Sequence, residues 1–404
     1  MEPHRITAEE IVEHLPRAGR VWLSGCSADS PVLKQAWARQ SLPALTFTGI
    51  FVPGLNDLTP ILNAAAKIET FFMTPEMNLA PQRVKFLPFC YKDIGAYLQD
   101  SPPDAAVLML APPDENGLCS FGPVTDFIAD IWTQIPVLIA QINPNMPVTQ
   151  GTPGIPFERL TAVIEAASDL PQQVAGTDDT ARAIAAHAAA LIPDGATLQA
   201  GVGRVPEAVL SGLTDKRDLA IHSGLIGDST LALLRAGALR EKHPITAGVA
   251  IGTDALYSAI SDPAFSFRPP SHTHAIDVVA AVSPFITINS AIEVDLAGNV
   301  YAEATPRGPI SGPGGASDFA AGARGAHDLR IIALPATAGK SRLSRIVPAH
   351  GGTGPVSLGR FDVDVVITEN GIADLRHATP DQRRTRLIAI ADPAHQEVLN
   401  SASN

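Results

Sequence analysis

Between Arg268 and Phe319 the chain gathers residue types that can do carbonyl chemistry. A strand-like run, Phe285-Ile-Thr-Ile288, leads into Asn289-Ser-Ala-Ile-Glu293-Val-Asp295, which sets two carboxylates beside the polar turn Ala297-Gly298-Asn299. A glycine-dense loop follows, Gly312-Pro-Gly314-Gly315-Ala-Ser-Asp318-Phe319. Its bare backbone amides can approach a ligand closely. A second loop, Gly201-Val202-Gly203, stands where the strand Thr197–Ala200 ends and a proline-initiated helix begins at Pro206. Unpaired amides and the helix dipole there converge on one spot. Carboxylates can attack or take protons, and amide donors hold a developing oxyanion. Neither loop is a dinucleotide fingerprint, because no G-x-G-x-x-G follows a strand.

Six segments, in order and at compatible spacings, resemble the acetyl-CoA hydrolase/transferase family of single-chain class I CoA-transferases. They are Pro112–Gly122 (P-x-D-x-x-G-x-x-S-x-G), Gly201–Val209 (G-x-G-x-x-P-x-A-V), Asn289–Gly298 (N-S-A-I-E-V-D-L-x-G), Gly312–Phe319 (G-x-G-G-x-x-D-F), Lys340–Pro348 and Val365–Arg376. Single glycine loops of this kind are common; their ordered set is specific. The resemblance covers nearly the whole chain. It implies an enzyme acting on an acyl-CoA, with coenzyme A as part of the substrate, no permanently bound cofactor, and a homodimeric assembly. It also implies that Val202 or Gly203 N–H and the Gly315 N–H are oxyanion donors, and that Gly201, Gly203, Gly312, Gly314, Gly315, Asn289 and Lys340 contact CoA.

The chain departs from the family where the attacking group belongs. Relatives carry H-T-E followed by a conserved aspartate, and that glutamate is the nucleophile that passes CoA between acids. Here the stretch is Ile221-His222-Ser223-Gly224-Leu-Ile-Gly227-Asp228, so Gly224 takes the glutamate's place. A glycine cannot form an acyl anhydride. The lost side chain is expected to leave room for an acyl group bulkier than acetyl. A second departure puts His274 where relatives carry an asparagine that meets the glutamate of a V-T-E motif, retained here as Glu369. Two readings stand: a His274–Glu369 dyad acting as general base toward water, or a polar loop histidine. Glu293 is a rival catalytic carboxylate, with a structural or supporting role as the alternative. Hydrolysis of the thioester C–S bond, or of the C–C bond of a β-oxoacyl-CoA, is therefore expected over transfer. Transfer through a substitute carboxylate and a non-catalytic acyl-CoA sensor are the alternatives.

These residues need elements to position them. With 404 residues, the chain exceeds the roughly 250–300 that one core holds, so two domains are expected. Continuous apolar runs, Ala105–Leu110 and Val137–Gln141, read as strands of a parallel sheet covered on both faces. Each half opens with a strand, a small-residue turn and a proline-initiated helix: Val21–Leu23 before Pro31, and Thr197–Ala200 before Pro206. The fold class is α/β, with two related open α/β domains and, by the resemblance, the active site in the cleft between them. The polar stretch 168–180 marks the boundary, giving domains 1–174 and 175–404. The segment 1–19 suggests an amphipathic helix, and no signal-peptide core or membrane-length run appears. Net charge is −12, from 41 Asp+Glu against 29 Lys+Arg, which argues against a nucleic-acid partner. Three cysteines, Cys26, Cys90 and Cys119, lack metal spacing and fit a reduced cytoplasmic protein without a metal site.

Overall fold

Continuous apolar runs become the inner strands of parallel sheets, as burial on both faces requires. The computed structural model describes residues 2–40, 42–174, 176–201 and 203–401. The chain divides into two compact units, Met1–Gln173 with Thr246–Thr273, and Val174–Ile245 with His274–Asn404. The first closes inside the polar stretch 168–180 and also takes in a segment from the middle of the chain.

In the first unit, β1 (His4–Arg5), β2 (Arg20–Leu23), β3 (Thr46–Gly49), β4 (Lys67–Thr70), β5 (Val84–Phe86), β6 (Ala105–Leu110), β7 (Val137–Ile142) and β8 (Ala162–Glu165) form one sheet. Its order is β1-β8-β7-β6-β2-β3-β4-β5, and the pairs are parallel. Every residue of β6 is buried. Helix α1 (Pro31–Trp37) starts as the sequence predicts: Pro31 takes the first turn and the Ser30 side chain accepts the Leu33 amide at 3.1 Å. The expected N-terminal helix shrinks to Ile11–His14, because His4 and Arg5 pair with the sheet instead.

The second unit carries β9 (Thr197–Ala200), β10 (Ala220–Ile226), β11 (Phe285–Asn289), β12 (Glu293–Asp295), β13 (Val300–Tyr301), β14 (Leu329–Ala333), β15 (Ile346–Val347), β16 (Val365–Thr368) and β17 (Gly371–Asp374). Its helices include α2 (Asp179–Ala189), α3 (Arg204–Ser211), α4 (Asp228–Arg235), α5 (Ala316–Gly322) and α6 (Pro380–Ile390). Within this unit the strands lie in the order β17-β16-β14-β11-β9-β10. All pairs are parallel except the edge strand β17, which runs antiparallel to β16. Strands β13, β12 and β15 make a small separate sheet. The core here is aliphatic, built on Val294, Leu334, Ile346, Val366, Leu375 and Leu387. Helix α3 begins at Arg204, two residues before the proline, which its first turn tolerates because that position has no intrahelical acceptor to lose. Among the described residues no helix is long and apolar enough to cross a membrane.

Candidate active site

The first glycine loop leaves the end of β9 with the ladder still intact. Gly201 N–H donates to Ile288 O at 2.8 Å, one step beyond the Ala200–Ile288 pair. Gly203 has φ +119° at the start of α3, a conformation that only glycine adopts without strain. Val202, one of the expected oxyanion donors, lies outside the described residues. Asn289 ends β11 with its amide engaged: it donates to Gln199 Oε1 at 3.1 Å and accepts from Gln199 Nε2 at 3.2 Å. That reciprocal pair ties β9 to β11 just below the loop, so Asn289 works here on the frame.

Next to this edge, β10 carries His222, Ser223 and Gly224. Ser223 Oγ donates to Ala200 O at 3.0 Å, and His222 stands edge-on to Phe285 with centroids 5.9 Å apart. The His274 ring fills the space at Gly224. A Cβ built on Gly224 would stand 2.6 Å from His274 Cε1 and 2.8 Å from Nε2. A Cβ on Gly315 would stand 2.3 Å from both Cδ2 and Nε2. The imidazole is thus held between a glycine of strand β10 and one of the second glycine loop, and Phe319 packs on it with centroids 4.5 Å apart. The expected extra acyl space at Gly224 is corrected by this packing: the space beside the glycine is occupied by the ring. His274 is only 6% exposed, and burial, with a smaller contribution from His222, lowers its pKa to about 3. At neutral pH the imidazole is uncharged, able to donate one N–H and accept at the other nitrogen, and it is a weak base.

Glu369 follows β16 in a half-buried turn. Its Oε2 accepts the Ala336 amide at 2.8 Å, so its hydrogen bond goes to a backbone N–H rather than to an imidazole. The charge felt by His274 beyond its burial is that of His222. Glu293, on β12, accepts Thr353 N–H at 2.7 Å and the Thr353 hydroxyl at 3.4 Å. Arg345 feels both carboxylates. Burial holds its guanidinium below the ordinary arginine range, against the opposing charges of Glu293 and Glu369. Its Nη1 donates to Ala291 O at 3.2 Å, while its buried Nε–H has no partner among the described residues. Asp295 is structural: it accepts the amides of Ala297, Asn299 and His350 and the Tyr301 hydroxyl at 2.9–3.1 Å.

In the second glycine loop, Gly314 has φ +64° and Gly315 opens α5. Lys340 is exposed in the turn between Thr337–Ala338 and Leu343–Ser344. Burial pushes the Cys119 thiol up to about 12 and Cys26 well above its usual value, so neither is a thiolate. Among the described residues no group of His, Cys, Asp or Glu is placed to hold a metal ion. Sequence reasoning missed Phe319 and His222 as neighbours of His274. The signal was present, since a glycine in place of a long side chain leaves a volume that a close-packed interior must refill.

The C-terminal part, residues 252–403, matches the family model of the acetyl-CoA hydrolase/transferase C-terminal domain. The chain is 35% identical over 333 residues to a 4-hydroxybutyrate coenzyme A transferase of Clostridium kluyveri, covering 78% of this chain and 76% of that one. An acetyl-CoA hydrolase of Kluyveromyces lactis is 27% identical over 60% of this chain and 49% of its own length. In structure the chain is similar to RipA from Yersinia pestis, with TM-score 0.90 at 25% identity over 98% of this chain and 96% of that one. It is also similar to a 4-hydroxybutyrate CoA-transferase from Porphyromonas gingivalis, with TM-score 0.80 at 29% identity over the same shares. These likenesses run through both units and carry the class I CoA-transferase fold, so the chain belongs to the acetyl-CoA hydrolase/transferase family of enzymes.

Proposed function

We propose that this chain hydrolyses an acyl-CoA thioester, with water rather than a protein carboxylate attacking the carbonyl. One observation carries the reading: the neutral His274 ring fills the place beside Gly224 where a nucleophilic side chain would stand. Water's oxygen bonds to the carbonyl carbon and its proton passes to a carboxylate. The C–S bond then breaks, and the CoA sulfur leaves with that proton as the thiol. We assign the developing oxyanion to the Gly203 and Gly315 amides and to a His274 N–H, since a neutral imidazole donates without first having to lose a charge. The proton acceptor we assign is Glu369, which keeps Oε1 uncommitted while Ala336 N–H holds Oε2. Glu293 supports it by fixing the Thr353 loop. Gly201, Gly312 and Gly314 leave backbone open to the CoA chain, and exposed Lys340 meets its phosphates. No resident cofactor is needed. The acidic charge and three thiols fit a cytoplasmic enzyme, and we expect it to act as a homodimer.

The test is thiol release from a panel of acyl-CoAs in ¹⁸O-water, with and without acetate. The expected result is release independent of acetate, heavy oxygen in the product acid, and an unmodified protein mass. Glu369→Gln should slow release by about a hundredfold or more. Release that requires acetate, or a mass adduct on Glu293, would overturn hydrolysis in favour of transfer.

A further inference from the structure

A second cavity lies in the same unit, away from the glycine loops. Its volume is about 430 Å³, within the size range of small-molecule pockets, and Leu296, Ala297, His350, Arg360, Phe361 and Arg383 are among its lining residues. The topology fixes its end of the sheet. Strand β17 runs antiparallel to β16 with Asp374 opposite Val365, so the chain that continues into α6 leaves at the N-terminal end of β16. Arg360 and Phe361 enter from that same end. Gly201, the amide of Asn289 and Glu369 sit at the C-terminal ends of β9, β11 and β16. Arg360, Phe361 and Arg383 of the cavity and the candidate active site thus lie toward opposite ends of the strands of one sheet.

Two of the arginines that line the cavity lack a paired carboxylate. Among the described residues neither Arg360 nor Arg383 forms an ion pair. Arg383 Nη1 lies 3.4 Å from the Arg360 carbonyl, and the Arg360 amide meets Asn299 Oδ1 at 3.2 Å. Burial and then the Arg360 charge hold the Arg383 guanidinium below its ordinary range, with Asp364 opposing. Asp364 is already engaged by Arg330, at 2.8 and 2.9 Å. Asp362 pairs with Arg324, and Asp381 is exposed in the first turn of α6. Two guanidiniums that line one cavity, neither ion-paired among the described residues, are a cost that a bound anion would offset, and their planar forks match phosphate. Beside them Phe361 is 71% exposed, with the Arg360 guanidinium 5.0 Å from its ring centroid. An aromatic face carrying a cation is a platform on which a nucleobase can stack.

We propose that this cavity is a second ligand site, distinct from the acyl-CoA site, which takes a phosphate ester through Arg360 and Arg383. Calorimetric titration of the full chain with ADP and, separately, with pyrophosphate tests it. Both probes should bind, and the double variant Arg360→Gln/Arg383→Gln should weaken both at least tenfold. Its affinity for CoA should stay within twofold and its melting temperature should be unchanged. Phe361→Ala separates the sources: weakened ADP with unchanged pyrophosphate means a nucleotide, while no change in either means recognition of the phosphate alone. The proposal fails if neither probe binds, or if the double variant binds both as the parent does. It also fails if CoA binding is lost together with ADP, which would assign the arginines to the acyl-CoA site. A smaller assembly in sedimentation for the double variant would make this face a contact between copies, and that too overturns it.

Discussion

At the scale of single residues, Gly224, His274 and Gly315 act as one set. Placing a glutamate at Gly224 alone puts a side chain into an occupied space, since even its Cβ would meet the imidazole at 2.6 Å. Overfilling of this kind typically costs about 1–3 kcal/mol. Gly224→Glu should therefore lower the melting temperature without producing acyl transfer to acetate. The double change Gly224→Glu/His274→Asn exchanges the ring for a shorter amide. It should recover most of the lost stability and show acetate-dependent CoA exchange, followed by the appearance of acetyl-CoA. A stable, transfer-competent Gly224→Glu single variant would show that the ring does not hold that space.

The elements raise a different matter, the loop that enters the short helix at Ile128–Ile131 in the first unit. Asp126 adopts φ +37° there, buried, with its carboxylate accepting Phe127 N–H at 2.7 Å. Burial, with the Asp130 charge adding to it, pushes its pKa up to about 7 from an ordinary 3.8. Between those values the folded chain holds a proton that the unfolded chain has released, so stability falls as pH rises through that window. Asparagine keeps the acceptor and tolerates the left-handed backbone. Asp126→Asn should thus stabilise the protein at pH 8 by up to about 4 kcal/mol, with the gain vanishing near pH 4. Urea unfolding at the two pH values measures it, and an equal effect at both would mean that Asp126 is charged in the fold. Much at this scale was legible in the sequence. Strand β6 falls on the residues that its apolar run marks, because a strand buried on both faces needs no polar residues to blur its ends. The N-terminal amphipathic stretch misled, since backbone pairing with β8 outweighs local helical periodicity. The return of 246–273 to the first unit was not legible, because that choice is made by tertiary contacts and nothing in its composition differs. In the candidate site the residue types at positions 224, 274, 293 and 369 could be read. The contact of His274 with two glycines could not, because it joins segments far apart in the chain.

For the whole molecule, His274 links the site to acid stability. Its imidazole titrates at about 3 in the fold against an ordinary 6.5. Below 6.5 the unfolded chain takes up a proton that the folded chain refuses, so this contribution is full above that pH and is lost as pH falls toward 3. His274→Asn should flatten the dependence of unfolding free energy on pH between 6 and 4 by up to about 1.4 kcal/mol per unit. Denaturant midpoints across that range provide the measurement, and an unaltered slope would mean that the ring is charged inside the fold. The seating of that ring between Gly224 and Gly315 also bears on descent. A chain with glutamate at 224 and histidine at 274 has two side chains claiming one volume, whereas glycine with asparagine leaves only a hole. A route from glutamate and asparagine at these two positions to glycine and histidine would therefore run more easily with the loss of glutamate first and the gain of histidine second. With histidine in place, gaining a glutamate at 224 would pass through the crowded pair, so the seated ring acts as a ratchet against that change.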